Sequence, residues 1–215
     1  LISADTGVAM PFGYAKHFRV GSKPALRFDS VTDRDKNCGN CLRGTTFTPD
    51  SKYLLVGRMG GGGIAVFDVG ALHYLGTVFG TLGNVRHLVI SGDFLYLSSN
   101  ADGTIQRTKW KDLIEFVLKN RSAKPYTAWQ SVHTGRGART FCLTPDGKWL
   151  FATAFDESEV GIVRTADMKK TGKIATDSWP VGMSIDANGK WLAVTAQGKN
   201  GLGGNSVMLF AIHGQ

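Results

Sequence analysis

The chain has 215 residues, 42% of them hydrophobic and 20% charged, with Gly frequent at 28 and Pro scarce at 6. That composition can bury a core and excludes disordered, collagen-like, coiled-coil and disulfide-dense classes, and no apolar run approaches the ~18–20 residues of a membrane-spanning helix. A formal charge of +8, from 25 Lys and Arg against 17 Asp and Glu, favours anionic partners, although no dense basic block marks a DNA-binding arm.

The chain opens on Leu1 rather than Met, and Leu1–Val8 lacks the basic n-region and apolar h-region of a signal peptide; a processed chain, one with a tag removed, or a piece of a longer one is expected. Tyr14–Val20 is a β-rich run followed by Gly21-Ser22-Lys23-Pro24, and residues 1–42 read as the end of one structural unit plus a cysteine-bearing loop. In that loop Cys38-Gly39-Asn40-Cys41 has the C-x-x-C spacing, but Leu42 stands where haem c attachment requires His, which excludes haem c. Zinc would need a second pair, and a thioredoxin-like role would need a helix after the first Cys. The readings left are a local disulfide, or Cys41 and Cys142 facing each other on adjacent units. Unpaired, Cys142 is a small buried hydrophobe.

From residue 43 the chain repeats. Arg43–Val56, Arg86–Leu97 and Arg139–Ala152 align around turn acids Asp50, Asp93 and Asp146, and Val181–Val194 adds a fourth copy around Asn188. The turn positions recur at intervals of 43, 53 and 42 residues, the length of a propeller blade or a helical repeat. The local pattern selects the blade. Each unit has a strand-like run, a Pro-Asp-Gly type turn and a second β-rich run such as Tyr53–Gly57 or Trp149–Thr153. Third runs follow at Ile64–Asp68, Gly161–Arg164 and Ser206–Phe210, and fourth runs at Tyr74–Val78 and Thr171–Ala175. Four short antiparallel strands make a blade, whereas a helical solenoid needs apolar spacing of three to four over ten or more residues. Only Trp110–Lys119 has that spacing, and it opens an insertion in the longest unit. The units are 43–81, 82–132 with the insertion, 133–177 and 178–215.

These residues resemble a known family. Pro49-Asp50, the strand from Tyr53, Ile64-Ala65-Val66-Phe67-Asp68 and Leu75–Gly80 are similar to the YVTN/YncE-type β-propeller repeat, over residues 43–215 and more weakly before them. The resemblance implies an all-β propeller of four-stranded antiparallel blades, four to five of them in this chain, as part of a seven-bladed ring completed by missing residues or a partner chain. Relatives of that architecture include bacterial lactonases, the haem d1 domain of nitrite reductase, methylamine dehydrogenase heavy subunits and surface-layer proteins. They imply a periplasmic or extracellular location.

Arg43, Arg86 and Arg139 each stand seven residues before their turn acid, while Val181 holds that register in the fourth unit. In a propeller the first strands line the central channel, so these residues would ring its mouth, with His87 beside Arg86. Guanidinium groups there would bind carboxylate or phosphate. The alternative is a structural role, each Arg bonding carbonyls or a carboxylate of the neighbouring blade.

No catalytic set accompanies them. The glycine run Gly60–Gly63 lacks the Lys-Ser/Thr and helix of a phosphate loop, the five His show no metal spacing, and no G-x-S-x-G elbow occurs. Asp156-Glu157-Ser158-Glu159 is an exposed acidic turn without Ca²⁺-loop spacing, and Asn120-Arg121-Ser122 fits a glycosylation sequon. The expectation is a binding or assembly module for an anionic small molecule or acidic protein surface, with no cofactor. An enzyme or redox-enzyme subunit using the same mouth is the alternative. Nucleic-acid binding ranks last, because no basic-aromatic strip is visible.

Overall fold

A computed structural model describes residues 41–120, 124–199 and 202–213. The reading of residues 1–40 as the end of a preceding blade lies outside the described residues. From residue 42 onward the chain forms four antiparallel sheets in sequence order, each with its strands in order. The first holds β1 (Leu42–Phe47), β2 (Tyr53–Arg58), β3 (Ile64–Asp68) and β4 (His73–Val78). The second holds β5 (Val85–Ser91), β6 (Phe94–Ser99), β7 (Thr104–Lys109) and β8 (Gln130–His133). The third holds β9 (Ala138–Leu143), β10 (Trp149–Ala154), β11 (Glu159–Arg164) and β12 (Lys169–Ala175). The fourth has three strands among the described residues, β13 (Pro180–Ile185), β14 (Trp191–Ala196) and β15 (Ser206–Ala211). The all-β blade architecture expected from the repeat is the one observed.

Alternation along the second strands explains the stacking. In β6, Leu95 and Leu97 pack with Leu55 and Val66 of the first sheet, while Tyr96 on the opposite face packs with Leu150 and Ala152 of the third. In β10, Phe151 turns the other way, onto Leu192 and Val194 of the fourth sheet. A strand apolar on both faces must be covered on both, and consecutive sheets do this for each other. The first strands become neighbours at the inner edge, β1 beside β5, β5 beside β9 and β9 beside β13.

The single α-helix among the described residues, α1 (Trp110–Lys119), follows β7, where the insertion was expected to begin. Trp110, Leu113, Ile114 and Val117 form one buried stripe at the helical period. The insertion returns against the first sheet. Tyr126 N–H donates to Phe79 O at 2.8 Å and Tyr126 OH shares a 2.7 Å bond with Thr108 Oγ1. Gly80 makes this approach possible: its φ is +103°, and a Cβ there would sit 2.2 Å from Tyr126 O.

The hairpin turns of the first and third units share one device. Thr144 Oγ1 donates to Asp146 Oδ1 at 2.6 Å and accepts from Trp149 N, while Lys148 N donates to the same carboxylate at 3.0 Å. Thr48, Asp50, Lys52 and Tyr53 repeat it bond for bond. In the fourth sheet Asp186, the residue after β13, caps the turn instead. Its Oδ1 accepts from Lys190 N at 2.6 Å and Trp191 N at 2.7 Å. The second unit uses a shorter hairpin, with Ser91 paired directly to Phe94.

The hydrogen bonds from Thr144 and Lys148 hold the Asp146 carboxyl at about 2, against an ordinary 3.8. A pKa lower in the folded than in the unfolded chain gives a stabilising contribution present above the unfolded value and lost as pH falls towards the folded one. Asp146→Asn is therefore expected to lower the denaturant midpoint near neutral pH. The gap to wild type should close as pH drops from about 4 towards about 2. A gap constant with pH would show that the charged turn contributes nothing.

Candidate functional site: a basic mouth built on four β-bulges

Every first strand carries one extra residue near its start. Leu42 pairs with Arg58 and Thr45 with Val56; Val85 with Ser99 and Leu88 with Leu97; Ala138 with Ala154 and Phe141 with Ala152; Pro180 with Ala196 and Gly182 with Thr195. A bulge of this kind re-aims the side chains it carries. The bulged residues are Arg43-Gly44, Arg86-His87, Arg139-Thr140 and, in the fourth sheet, Val181. The shared arginine register thus has a backbone cause.

Each bulge lies opposite the fifth residue of the second strand, and in three sheets that residue is a hydroxyl. Ser98 Oγ accepts from His87 N at 3.1 Å and donates to Arg139 O of the next sheet at 2.7 Å. Thr153 Oγ1 accepts from Thr140 N at 3.0 Å and donates to Thr140 O at 3.1 Å. Thr195 Oγ1 accepts from Gly182 N at 3.1 Å. Thr140 Oγ1 donates onward to Val181 O at 2.7 Å. In the first sheet Gly57 holds the hydroxyl position and Gly44 the bulge, and a Cβ on Gly44 would lie 2.7 Å from Arg86 O. Two side-chain-free positions let β1 close directly onto β5.

Two of the arginines are braced from beneath by the residue that follows the second strand. Arg43 Nε donates to Met59 Sδ at 3.0 Å. Arg139 Cζ lies 5.0 Å from the ring centre of Phe155, which stacks on Trp179 at 4.7 Å, and Lys199 Nζ is 5.5 Å from the Trp179 ring. This basic-aromatic ladder joins β9 to residues from three loops. Its rings are engaged with each other and with the two cations.

Arg43, Arg86, His87, Arg139 and Thr140 line one cavity of about 270 Å³. The four residues singled out in the sequence therefore meet at one place. His87 is half-buried, its ring 4.9 Å from Phe141, and Phe141 N–H points to Nδ1 at 3.4 Å. Burial lowers its pKa below 6.5, so the ring is neutral near pH 7, with Nδ1 accepting and the proton on Nε2.

The cysteines separate. Cys41 is disulfide-bonded and Cys142 is a free thiol, which overturns the expectation that these two could pair across sheets; Cys38 lies outside the described residues. Burial pushes the Cys142 thiol up to about 12, so it is no thiolate at neutral pH. In the acidic turn, Glu157 pairs with Arg136 at 3.2 Å and Glu159 with Lys173. Among the described residues no group of three or more His, Cys, Asp or Glu side chains could hold a metal, and no helix is long and apolar enough to cross a membrane.

No family model matches the chain, and no curated protein matches it in sequence. Solved structures do. Hydrazine synthase from Kuenenia stuttgartiensis is similar with a TM-score of 0.66 and 16% identity, over 86% of this chain and 49% of that one. A functionally unknown protein from Desulfotomaculum acetoxidans gives 0.62 and 14%, over 80% and 52%. A candidate 6-phosphogluconolactonase from Bacteroides fragilis gives 0.54 and 24%, over 73% and 48%. These likenesses and the sheet order define a β-propeller-type fold. The chain spans about half the length of the structures it resembles.

The bulge hydroxyls were not found by sequence reasoning, although Ser98, Thr153 and Thr195 recur at one repeat position beside Gly57. Thr153 is wholly buried. Thr153→Val keeps its shape but strands Thr140 N–H, and should destabilise the fold by about 1–3 kcal/mol in urea unfolding. An unchanged midpoint would mean that the bulge holds itself.

Proposed function

We propose that this chain is part of an extracytoplasmic β-propeller, of the YVTN/YncE repeat type, whose basic channel mouth binds an anionic ligand: a small acid or an acidic side chain of a partner protein. The observation that carries the reading is the convergence of Arg43, Arg86 and Arg139, with His87 and Thr140, on one cavity. Guanidinium forks suit carboxylate and phosphate, and a neutral imidazole adds a donor without adding charge. The bonded Cys41 supports an oxidising compartment.

The outer face of the fourth sheet supports a role as part of a larger ring. Val207 is 69% exposed and Leu209 66%, whereas Ile64, Ile105 and Val160, which hold the position of Val207 in the other sheets, are at 0%. Those three are covered, so a further blade is the occupant that fits the exposed face. The covering blade belongs to the same ring, as the doubled length of the similar structures suggests.

A second reading makes the mouth an active site, favoured by the names of the neighbours, hydrazine synthase and candidate 6-phosphogluconolactonases. Proton release from a phosphorylated lactone above the uncatalysed rate would support it over simple binding.

The binding test replaces Arg86 and Arg139 with Gln and titrates phosphate and citrate across a salt series. Loss of charge-assisted bonds predicts at least about tenfold weaker binding and a flatter salt dependence. Unchanged affinity and slope in a folded double variant would make the arginines structural and move the site elsewhere.

A further inference from the structure

A second cavity begins where the basic mouth ends. Its volume is about 400 Å³, and apolar side chains of β5, β9 and β13, Val89, Ile90, Leu143, Met183 and Ile185 among them, line it alongside the hydroxyls of Ser91, Thr144 and Ser184. His87 lines both cavities. The same strands supply both: Arg86 and His87 lead into Val89 and Ile90 on β5, and Arg139 and Thr140 lead into Phe141 and Leu143 on β9. The step from Arg139 to Leu143 covers about 13 Å at the usual strand rise. A charged rim therefore passes directly into a groove that mixes apolar side chains with hydroxyls.

The border between them carries no charge. His87 rests against Phe141 and takes its N–H on Nδ1, and the Cys142 thiol beyond it is protonated. Val89, Ile90, Leu143, Met183 and Ile185 are only half-buried, so their apolar surface is partly open to water. A small polar anion would engage the rim and leave this surface wet. A neutral hydrophobe would cover the groove's apolar side chains and make no use of the basic rim.

Resting on the anion-binding reading above, we infer that the ligand is an amphiphilic carboxylic acid, its carboxylate at Arg43, Arg86 and Arg139 and its alkyl chain running past His87 along the groove between β5, β9 and β13. Binding energy then has two separable parts, one that depends on salt and one that grows with chain length.

The test is calorimetric titration of the whole chain with butyrate, hexanoate, octanoate and octanol, each below its aggregation limit and at constant ionic strength. Affinity is expected to rise about twofold to fourfold per methylene from butyrate to octanoate, as the burial of each CH2 requires. Octanol should bind at least about tenfold more weakly than octanoate, as the loss of charge-assisted bonds requires. R86Q/R139Q should bring octanoate down to the level of octanol. Met183→Ser should flatten the chain-length dependence while leaving butyrate unchanged; if that variant does not fold, the wild-type series decides alone. Equal binding of butyrate and octanoate would overturn the groove inference and leave the anion-binding mouth standing. Equal binding of octanol and octanoate would overturn the amphiphile. If none of the acids binds, both readings fall.

Discussion

A β-sheet that is apolar on both faces has to be sandwiched, and this requirement organises the molecule. The second and third strands of each unit alternate two sets of apolar side chains, one for the preceding sheet and one for the following. Tyr96 and Leu97 sit side by side in β6 yet belong to different cores. Stacking the sheets to satisfy both faces brings their first strands together at one edge. Residues from three separate units then share a single cavity without any loop reaching across.

Each arginine sits on a bulge. One extra residue in each first strand turns the backbone, and in three of the four sheets a hydroxyl from the second strand takes up the N–H that the bulge leaves without a ladder partner. Ser98 and Thr140 also reach carbonyls of the next sheet, so the bulges are linked laterally from the second sheet to the fourth.

Charge is distributed in layers around this edge. The rim carries Arg43, Arg86 and Arg139, and Lys199 extends it through the Phe155–Trp179 stack. Immediately below, His87 and Cys142 are neutral near pH 7, and burial moves both further from their charged forms. Desolvation thus does the opposite of what the composition suggests: the protein is basic overall, yet the wall below the rim is uncharged.

The repeat, the blade architecture, the helix at Trp110–Lys119 and the common register of the arginines were all legible from the chain before any fold was known. All four are written in local periodicity, which depends on spacing along the chain and needs no partner. The turn acids of the first and third units were legible for the same reason, whereas the second unit has a shorter hairpin and in the fourth Asp186 does the capping that Asn188 marks. Everything else came from packing. A bulge exists only relative to the strand it pairs with, so the roles of Ser98, Thr153 and Thr195 appear once β6, β10 and β14 lie beside β5, β9 and β13. The Phe155–Trp179 ladder joins loops distant in the chain. Cys41, just before β1, and Cys142, on β9, flank sheets that are separated by the second sheet, which spacing along the chain does not reveal. Three cations share a site only if the right edges converge, and that convergence follows from covering both faces of every sheet.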